Sequence, residues 1–185
     1  MAVGTLDGRP VAVTGADDRG VRVWDAVTGR RIGEALDGIA CSARALTTGV
    51  VEGRGIVLVG SHDGTAWRAD LGTGRPLGPP LRGHTDGVSA VALGTMAGRA
   101  VAVTGSRYAT VRVWDAVTGE PIGEGPVFPD EVGAVAVTPD GRPAVAYGTE
   151  LAVLVPLGPR TPCGQAEVEE VTVSASRDRP LSSEM

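Results

Sequence analysis

The chain has 185 residues, of which 42% are hydrophobic and only 3% aromatic, so Val, Ala and Leu must supply most of any core. The formal charge is −5 and every one of the 17 basic residues is Arg. These Arg residues are scattered rather than gathered into a basic stripe, which argues against nucleic-acid binding. No run of 18 apolar residues and no signal-peptide pattern occurs, so we expect a soluble, cytoplasmic protein that does not bind membranes. The absence of Lys and Asn beside abundant Ala, Gly, Val and Arg is typical of GC-rich bacterial coding.

A long internal repeat dominates the sequence. VRVWDAVTG occurs at residues 21–29 and again at 111–119, and the related TAWRADLGTG lies between them at 65–74. Residues 1–35 align with 91–125 without a gap, and 22 of the 35 aligned pairs are identical. Two equal steps of 45 residues predict a tandem array of units that share one structure. The positions that mark the steps are Asp25, Asp70 and Asp115, and likewise Gly29, Gly74 and Gly119.

Each unit contains short apolar runs separated by turn residues, and their lengths predict strands rather than helices. The third unit is the fullest and predicts a four-stranded meander. Turns account for the 28 glycines in this interpretation. Prolines 156, 159 and 162 interrupt the outer strand of the fourth unit, although residues 167–176 could still form one strand. Strands are predicted at 10–15, 21–25 and 30–36 in the first unit, at 41–46, 55–60, 64–70 and 74–78 in the second, at 83–93, 99–106, 110–115 and 119–125 in the third, and at 131–138, 141–148 and 151–155 in the fourth.

A period near 45, four strands per unit, Gly-His at the head and Trp-Asp at the foot resemble the WD-repeat family of β-propellers. The third unit carries both signatures, Gly83-His84 and Trp114-Asp115, whereas the second has Ala69 at the Trp position. The resemblance covers residues 1 to about 156. It implies an all-β propeller fragment of about four blades, each a four-stranded antiparallel meander, with the first and last blades incomplete.

The repeat period sets the expected blades. They are residues 1–36, 37–81, 82–126 and 127–157, followed by a partly disordered C-terminal extension at 158–185. Met1 aligns with Val91, inside the inner strand of the third unit, so we expect the inner strand of the first blade to be truncated. About three and a half blades fall short of the four to eight that typically close a ring. We therefore expect a homo-oligomer or further blades to cover the apolar faces at the ends.

The family resemblance also implies a hydrogen-bonded set in each blade, made of a His, a Ser or Thr, an Asp and a Trp. The third unit supplies His84, Thr104 or Ser106, and Trp114, but Tyr108 stands where the Asp is expected. A buried polar group that loses its partner is costly, so we expect this blade to be weakened at Tyr108. The other structural positions are Asp18 and Trp24 in the first unit, Asp63 in the second, and Asp25, Asp70 and Asp115 at the ends of the third strands.

Residue types suited to catalysis or metal binding are sparse. Ser61, His62 and Asp63 are adjacent in one turn, and adjacency there cannot give the converging geometry of a hydrolytic triad. Cys41 and Cys163 lie far apart and show no ligand spacing, so we expect idle or buried thiols. No enzyme activity, cofactor or metal site is predicted.

The units differ most in the loops between their second and third strands, and rigid scaffolds often carry function on loops. This pattern favours a non-catalytic protein-interaction scaffold of the WD-repeat type, with partner proteins bound through loops on one face of the propeller. The alternatives are the C-terminal sensor or regulatory arm of a larger bacterial kinase, protease or ATPase, or a decayed gene fragment. The candidate partner-binding residues are Asp17, Asp18, Arg19, Ser61, His62, Asp63, Arg107 and Tyr108.

Overall fold

Four antiparallel sheets follow one another along the chain. The computed structural model describes residues 1–15, 20–33, 36, 39, 41–155 and 169–173. In each sheet the strands are ordered as they occur in the sequence, so every sheet is a meander. The first sheet contains β1 (Ala2–Leu6), β2 (Arg9–Gly15), β3 (Val21–Asp25) and β4 (Arg31–Ile32). The second contains β5 (Ala43–Val51), β6 (Arg54–Ser61) and β7 (Ala66–Asp70), and the third β8 (Val88–Met96), β9 (Arg99–Ser106) and β10 (Val111–Asp115). The fourth contains β11 (Val132–Val137), β12 (Pro143–Tyr147), β13 (Glu150–Val155) and β14 (Glu169–Val173).

Two-residue turns fix the register of the first hairpin in the first three sheets. The turn between β5 and β6 has φ of +49° at Glu52 and +77° at Gly53. The equivalent turns, Asp7-Gly8 and Ala97-Gly98, also have positive φ at both positions. Positive φ at both central residues is what a type I′ hairpin requires, and its twist matches that of the flanking strands.

The all-β propeller architecture predicted from the repeat is confirmed. The outer strands depart most from the prediction. The predicted strands at 74–78 and 119–125 are reduced to isolated bridges, Ala69 with Pro76 and Trp114 with Pro121. Proline lacks the N–H that would continue the ladder at these positions. In the fourth sheet the outer strand is β14, which pairs with β13 and lies within the segment 167–176. The blade limits drawn from the 45-residue period stay a prediction.

Three apolar layers lie between successive sheets. Val11 and Val13 of the first sheet pack with Val57 and Val59 of the second. Alternate residues of the same β6 strand, Leu58 among them, point the other way and join the layer shared with the third sheet. A further layer joins the third and fourth sheets. Because the inner sheets are covered on both faces, their second strands are almost continuously apolar.

Glycines at the 45-residue spacing let neighbouring sheets approach closely, which corrects the assignment of all glycines to turns. A Cβ added to Gly60 would lie 2.6 Å from Val88 Cγ1 of the next sheet. Gly15 and Gly105 meet the next sheet in the same way. A second set lies on the inner strands of the first three sheets, where Gly4, Gly49 and Gly94 face Thr48, Leu93 and Val137 respectively.

The contact at Gly60 predicts a loss of stability in Gly60→Ala. The added methyl group would overlap Val88, and overpacking of this kind costs about 1–3 kcal/mol. Gly133→Ala is the matched control, since the nearest atom to its added Cβ is 3.9 Å away, and we expect it to change the free energy of unfolding by less than about 0.5 kcal/mol. Urea denaturation measures both. Equal stability of the two variants would contradict this account of sheet spacing.

Candidate protein-binding face

One end of the sheets carries the loops between second and third strands, and we call this end the loop face. It comprises residues 61–65, 106–110 and 148–149, with the segments 82–87 and 128–131 that lead into β8 and β11. Backbone hydrogen bonds tie these parts together. The Arg107 N–H donates to the Gly87 carbonyl at 3.2 Å, and the Gly148 N–H donates to the Glu131 carbonyl at the same distance. Each of these two loops is therefore held against the segment that leads into the first strand of its own sheet.

The loop between β9 and β10 projects an aromatic side chain. Tyr108 is 65% exposed, while its backbone N–H donates to Ser106 Oγ at 3.3 Å. Ser106 is itself buried and donates to the Asp86 carbonyl at 3.2 Å. Beside Tyr108, Arg107 Nε lies 3.4 Å from Oε1 of Glu131, which immediately precedes β11 of the fourth sheet. An exposed phenol thus stands on an anchored turn at the junction between two sheets.

The loop between β6 and β7 exposes His62 and Asp63 but not Ser61. Ser61 is only 1% exposed, and its Oγ accepts a hydrogen bond from the Asp63 N–H at 3.4 Å. Ser61 is therefore corrected from a candidate partner-binding residue to a buried turn residue. Asp63 Oδ1 accepts from both the N–H and the hydroxyl of Thr65, at 3.0 and 2.6 Å, so this carboxylate holds its own turn. Asp17, Asp18 and Arg19 lie outside the described residues.

Below the loop face, a hydrogen-bonded chain runs through the third sheet. Trp114 Nε1 donates to Thr104 Oγ1 at 2.9 Å, and His84 Nε2 lies 2.7 Å from the same oxygen. His84 Nδ1 lies 2.7 Å from Thr110 Oγ1. In a neutral imidazole one ring nitrogen donates and the other accepts, so both contacts can be satisfied. Thr104, and not Ser106, is the member from the second strand.

Thr110 corrects the expectation that the third blade is weakened at Tyr108. His84 Nδ1 meets the hydroxyl of Thr110, two residues after Tyr108, so the missing Asp leaves neither ring nitrogen of His84 without a partner. Burial lowers the pKa of His84 to about 4, and the nearby charge of Arg112 adds to the effect. A neutral imidazole needs no carboxylate beside it, so a hydroxyl is a sufficient partner.

The first two units differ from the third at the same positions. In the first sheet Trp24 Nε1 donates to Thr14 Oγ1 at 2.8 Å. In the second sheet the equivalent pair is Val59 and Ala69, both fully buried. Replacing both hydrogen-bonding partners by apolar groups leaves no buried polar atom unpaired, so it is nearly neutral in energy.

At the opposite end of the sheets, the repeated Asp residues close the turns after the third strands. Asp25 Oδ1 accepts from the N–H groups of Val27 and Thr28, and Asp115 Oδ1 accepts likewise from Val117 and Thr118. The Thr118 N–H and the Arg99 guanidinium hold the pKa of Asp115 at about 2. Asp70 makes the same bonds in the second unit.

A buried arginine that the sequence analysis missed links the second and third sheets at this end. Arg68 is 2% exposed and stands where the other units have Val23 and Val113. Its Nη1 donates to the carbonyls of Ala116 and Val117 at 3.0 and 2.9 Å. Its Nη2 donates to the Leu77 carbonyl at 2.9 Å. The break in the repeat at position 68 is the signal that could have revealed it.

Above Arg68 the surface forms a shallow cleft between the second and third sheets. Its volume is about 400 Å³, and Val51, Glu52, Leu77 and Val117 are among its lining residues. Carboxylate, guanidinium and apolar groups are mixed around this cleft and the adjoining one, which includes Arg99 and Asp115. Because charged and apolar groups are mixed, the lining of these clefts does not indicate one class of ligand.

The described residues also bear on metal binding, membrane insertion and thiol chemistry. No group of three or more His, Cys, Asp or Glu side chains there is placed to hold a metal ion. In the same part of the chain, no helix is long and apolar enough to cross a membrane. Burial raises the pKa of the Cys41 thiol to about 11, so at neutral pH it is protonated and a poor nucleophile.

Comparison with known proteins agrees with this geometry. Among solved structures the chain resembles the computationally designed Ika4 protein, with a TM-score of 0.65 and 26% identity over 82% of this chain and 88% of that one. It resembles the computationally designed Ika8 protein with a TM-score of 0.63 and 26% identity, again over 82% of this chain but over only 44% of the Ika8 chain. The chain therefore spans less than half the length of Ika8. No curated protein sequence matches it.

The four stacked meanders define the chain as an array of β-propeller blades. Residues 75–115 match the family model described as WD domain, G-beta repeat. This part of the array, which ends with β10, therefore matches a WD repeat.

The Thr104 network predicts unequal effects for two equivalent substitutions. Thr104→Val leaves the buried Trp114 Nε1 and one nitrogen of His84 without a partner, and we expect a loss of about 2–4 kcal/mol. Thr14→Val breaks only one hydrogen bond, the one from Trp24, so a smaller loss of about 1 kcal/mol is expected. Urea denaturation compares them. A loss in Thr14→Val as large as in Thr104→Val would contradict the network.

The lowered pKa of His84 predicts acid sensitivity. Between pH 6.5 and about 4 the unfolded chain binds a proton that folded His84 does not, so the free energy of unfolding falls as the pH drops through this range. We expect His84 to contribute a decrease on the order of 2 kcal/mol, so His84→Gln should lose less stability than the wild type over this range. Urea titrations at several pH values measure it, with the exposed His62→Gln as control. Parallel pH profiles for wild type and His84→Gln would show the assignment to be wrong.

Proposed function

We propose that the chain is a non-catalytic, cytoplasmic protein-interaction scaffold that binds partner proteins through its loop face. The observation that carries the proposal is the exposed Tyr108 on a turn anchored by the buried Ser106. Large aromatic side chains on a backbone that is fixed before binding are typical anchors of protein interfaces, because the backbone loses little conformational entropy when they dock.

The surroundings of Tyr108 support binding to a protein. Arg107 and Glu131 form an exposed ion pair beside it, and His62 is exposed on the neighbouring loop. An aromatic centre with polar and charged groups at its edge is the usual composition of a protein-binding patch. The anchored backbone fixes the patch, while the loop side chains differ between units and can set which partner is recognised.

Site-specific photocrosslinking tests the location of the face. A benzophenone amino acid placed at Tyr108 or His62 in the full chain should give a partner adduct in cells. The same group at Val27 or Val50, both exposed at the opposite end, should not give that adduct. Adducts formed only from Val27 or Val50 would overturn the assignment.

The partner identified in this way then allows a measurement of affinity. Tyr108→Ala in the purified chain should weaken binding about 30-fold, which corresponds to a hot-spot contribution of about 2 kcal/mol. Val27→Ala is the control and should leave the affinity unchanged. Equal affinity of wild type and Tyr108→Ala would remove Tyr108 from the interface.

A further inference from the structure

The two end sheets of the array each have one face that no other described sheet covers. We call the face of the first sheet turned away from the second the leading face. Its central row runs across three strands as Val3, Ala12 and Trp24, which are direct cross-strand neighbours. Val3 is 65% exposed, and Ala12 and Trp24 are half-buried. An apolar row of this kind is exposed to solvent unless another surface covers it.

The third sheet shows what covers such a row. Its equivalent row is Leu93, Ala102 and Trp114, in the same register on three strands. There Ala102 and Trp114 are 0% and 3% exposed, because the row packs against the second sheet in one apolar layer. The leading face therefore has the same arrangement as the face of the third sheet that packs against the second sheet. We expect it to pack in the same way against another sheet.

The fourth sheet supplies a surface of that opposite kind. We call its face turned away from the third sheet the trailing face. Ala134 and Ala136 of β11 pair with Ala146 and Ala144 of β12, and Ala146 pairs with Leu151 of β13. Leu151 is 43% exposed, and the two β11 alanines are exposed as well. The trailing face is thus a flat apolar patch of small side chains without a charged residue at its centre.

Side-chain sizes match at the inner-strand glycines, where each sheet meets the next. Within the molecule, a glycine on one sheet faces a larger residue on the next sheet. The facing pairs are Gly4 with Thr48, Gly49 with Leu93, and Gly94 with Val137. The two side chains of each pair together contain three or four heavy atoms. The register places Ala136 where the third sheet has Gly94, because each lies opposite the second-strand residue of that row. Against Val3 of a leading face, Ala136 gives four heavy atoms. Volume-conserving exchanges of this kind are the ones that packed layers tolerate best.

We propose that two copies of this chain assemble head to tail, with the leading face of each packed on the trailing face of the other. A two-fold axis then relates two identical interfaces, and the eight sheets close into one ring, within the range of four to eight blades usual for propellers. The likeness to Ika8 fits this arrangement, since one copy accounts for 44% of that single chain and leaves room for a second. The new interfaces continue the three sheet-to-sheet layers already present.

The mass of the purified chain in solution tests the assembly. Light scattering during size-exclusion chromatography should give twice the chain mass of 18.7 kDa. Val3→Arg on the leading face or Ala136→Arg on the trailing face should each lower the mass twofold. Val127→Arg, an equally drastic change at an exposed residue that pairs with Thr110 beside the third sheet, away from both faces, should leave the dimer intact.

Mixing the two interface variants distinguishes this arrangement from any other dimer. Val3→Arg keeps its trailing face and Ala136→Arg keeps its leading face, so an equimolar mixture should regain the two-chain mass through one intact interface. The regained mass also shows that both variants are folded. A monomeric wild-type chain, a dimer that survives either substitution, or a mixture that stays monomeric would each overturn the proposal.

Discussion

The close approach of one sheet to the next is the constraint on which the rest of this structure depends. A three- or four-stranded meander has two apolar faces and cannot cover either by itself, so each sheet relies on its neighbours. Glycines at Gly15, Gly60 and Gly105 make the approach possible, since any side chain there would enter the space of the following sheet. The residues that repeat every 45 positions are thus required by packing between units as well as by hydrogen bonds within each unit.

Within that frame the units solve the same local problem in different ways. The third sheet satisfies its buried Trp114 and His84 through Thr104 and Thr110, whereas the second sheet removes the polar groups altogether and uses Val59 and Ala69. Both solutions leave no indole or imidazole nitrogen unpaired, which is the condition that matters energetically. A blade that lacks some members of the His, Thr, Asp and Trp set is therefore not necessarily less stable.

The fold class and most strands were predictable because they follow from local alternation and from the period, whereas the outer strands expected at 74–78 and 119–125 are only isolated bridges. What escaped prediction depends on contacts between distant parts of the chain. Thr110 is recognisable as a partner only when His84 lies beside it, and Arg68 only when the carbonyls of Ala116 and Val117 converge on it. The exposure of Tyr108 and the burial of Ser61 likewise depend on how each loop is anchored. Sequence pattern located the loop face but did not separate its anchors from its exposed groups.

The leading and trailing faces are suited to packing against another sheet, whereas the loop face is suited to binding a partner, because the three surfaces are oriented differently. The leading and trailing faces are sheet surfaces, where contact buries flat apolar rows such as Val3, Ala12 and Trp24. The loop face lies at the strand ends, so packing between sheets leaves it uncovered. In a head-to-tail pair Tyr108 would be displayed twice on one rim, and two sites on one body raise the effective concentration for a partner that can reach both. Assembly and recognition would then reinforce each other while using separate residues.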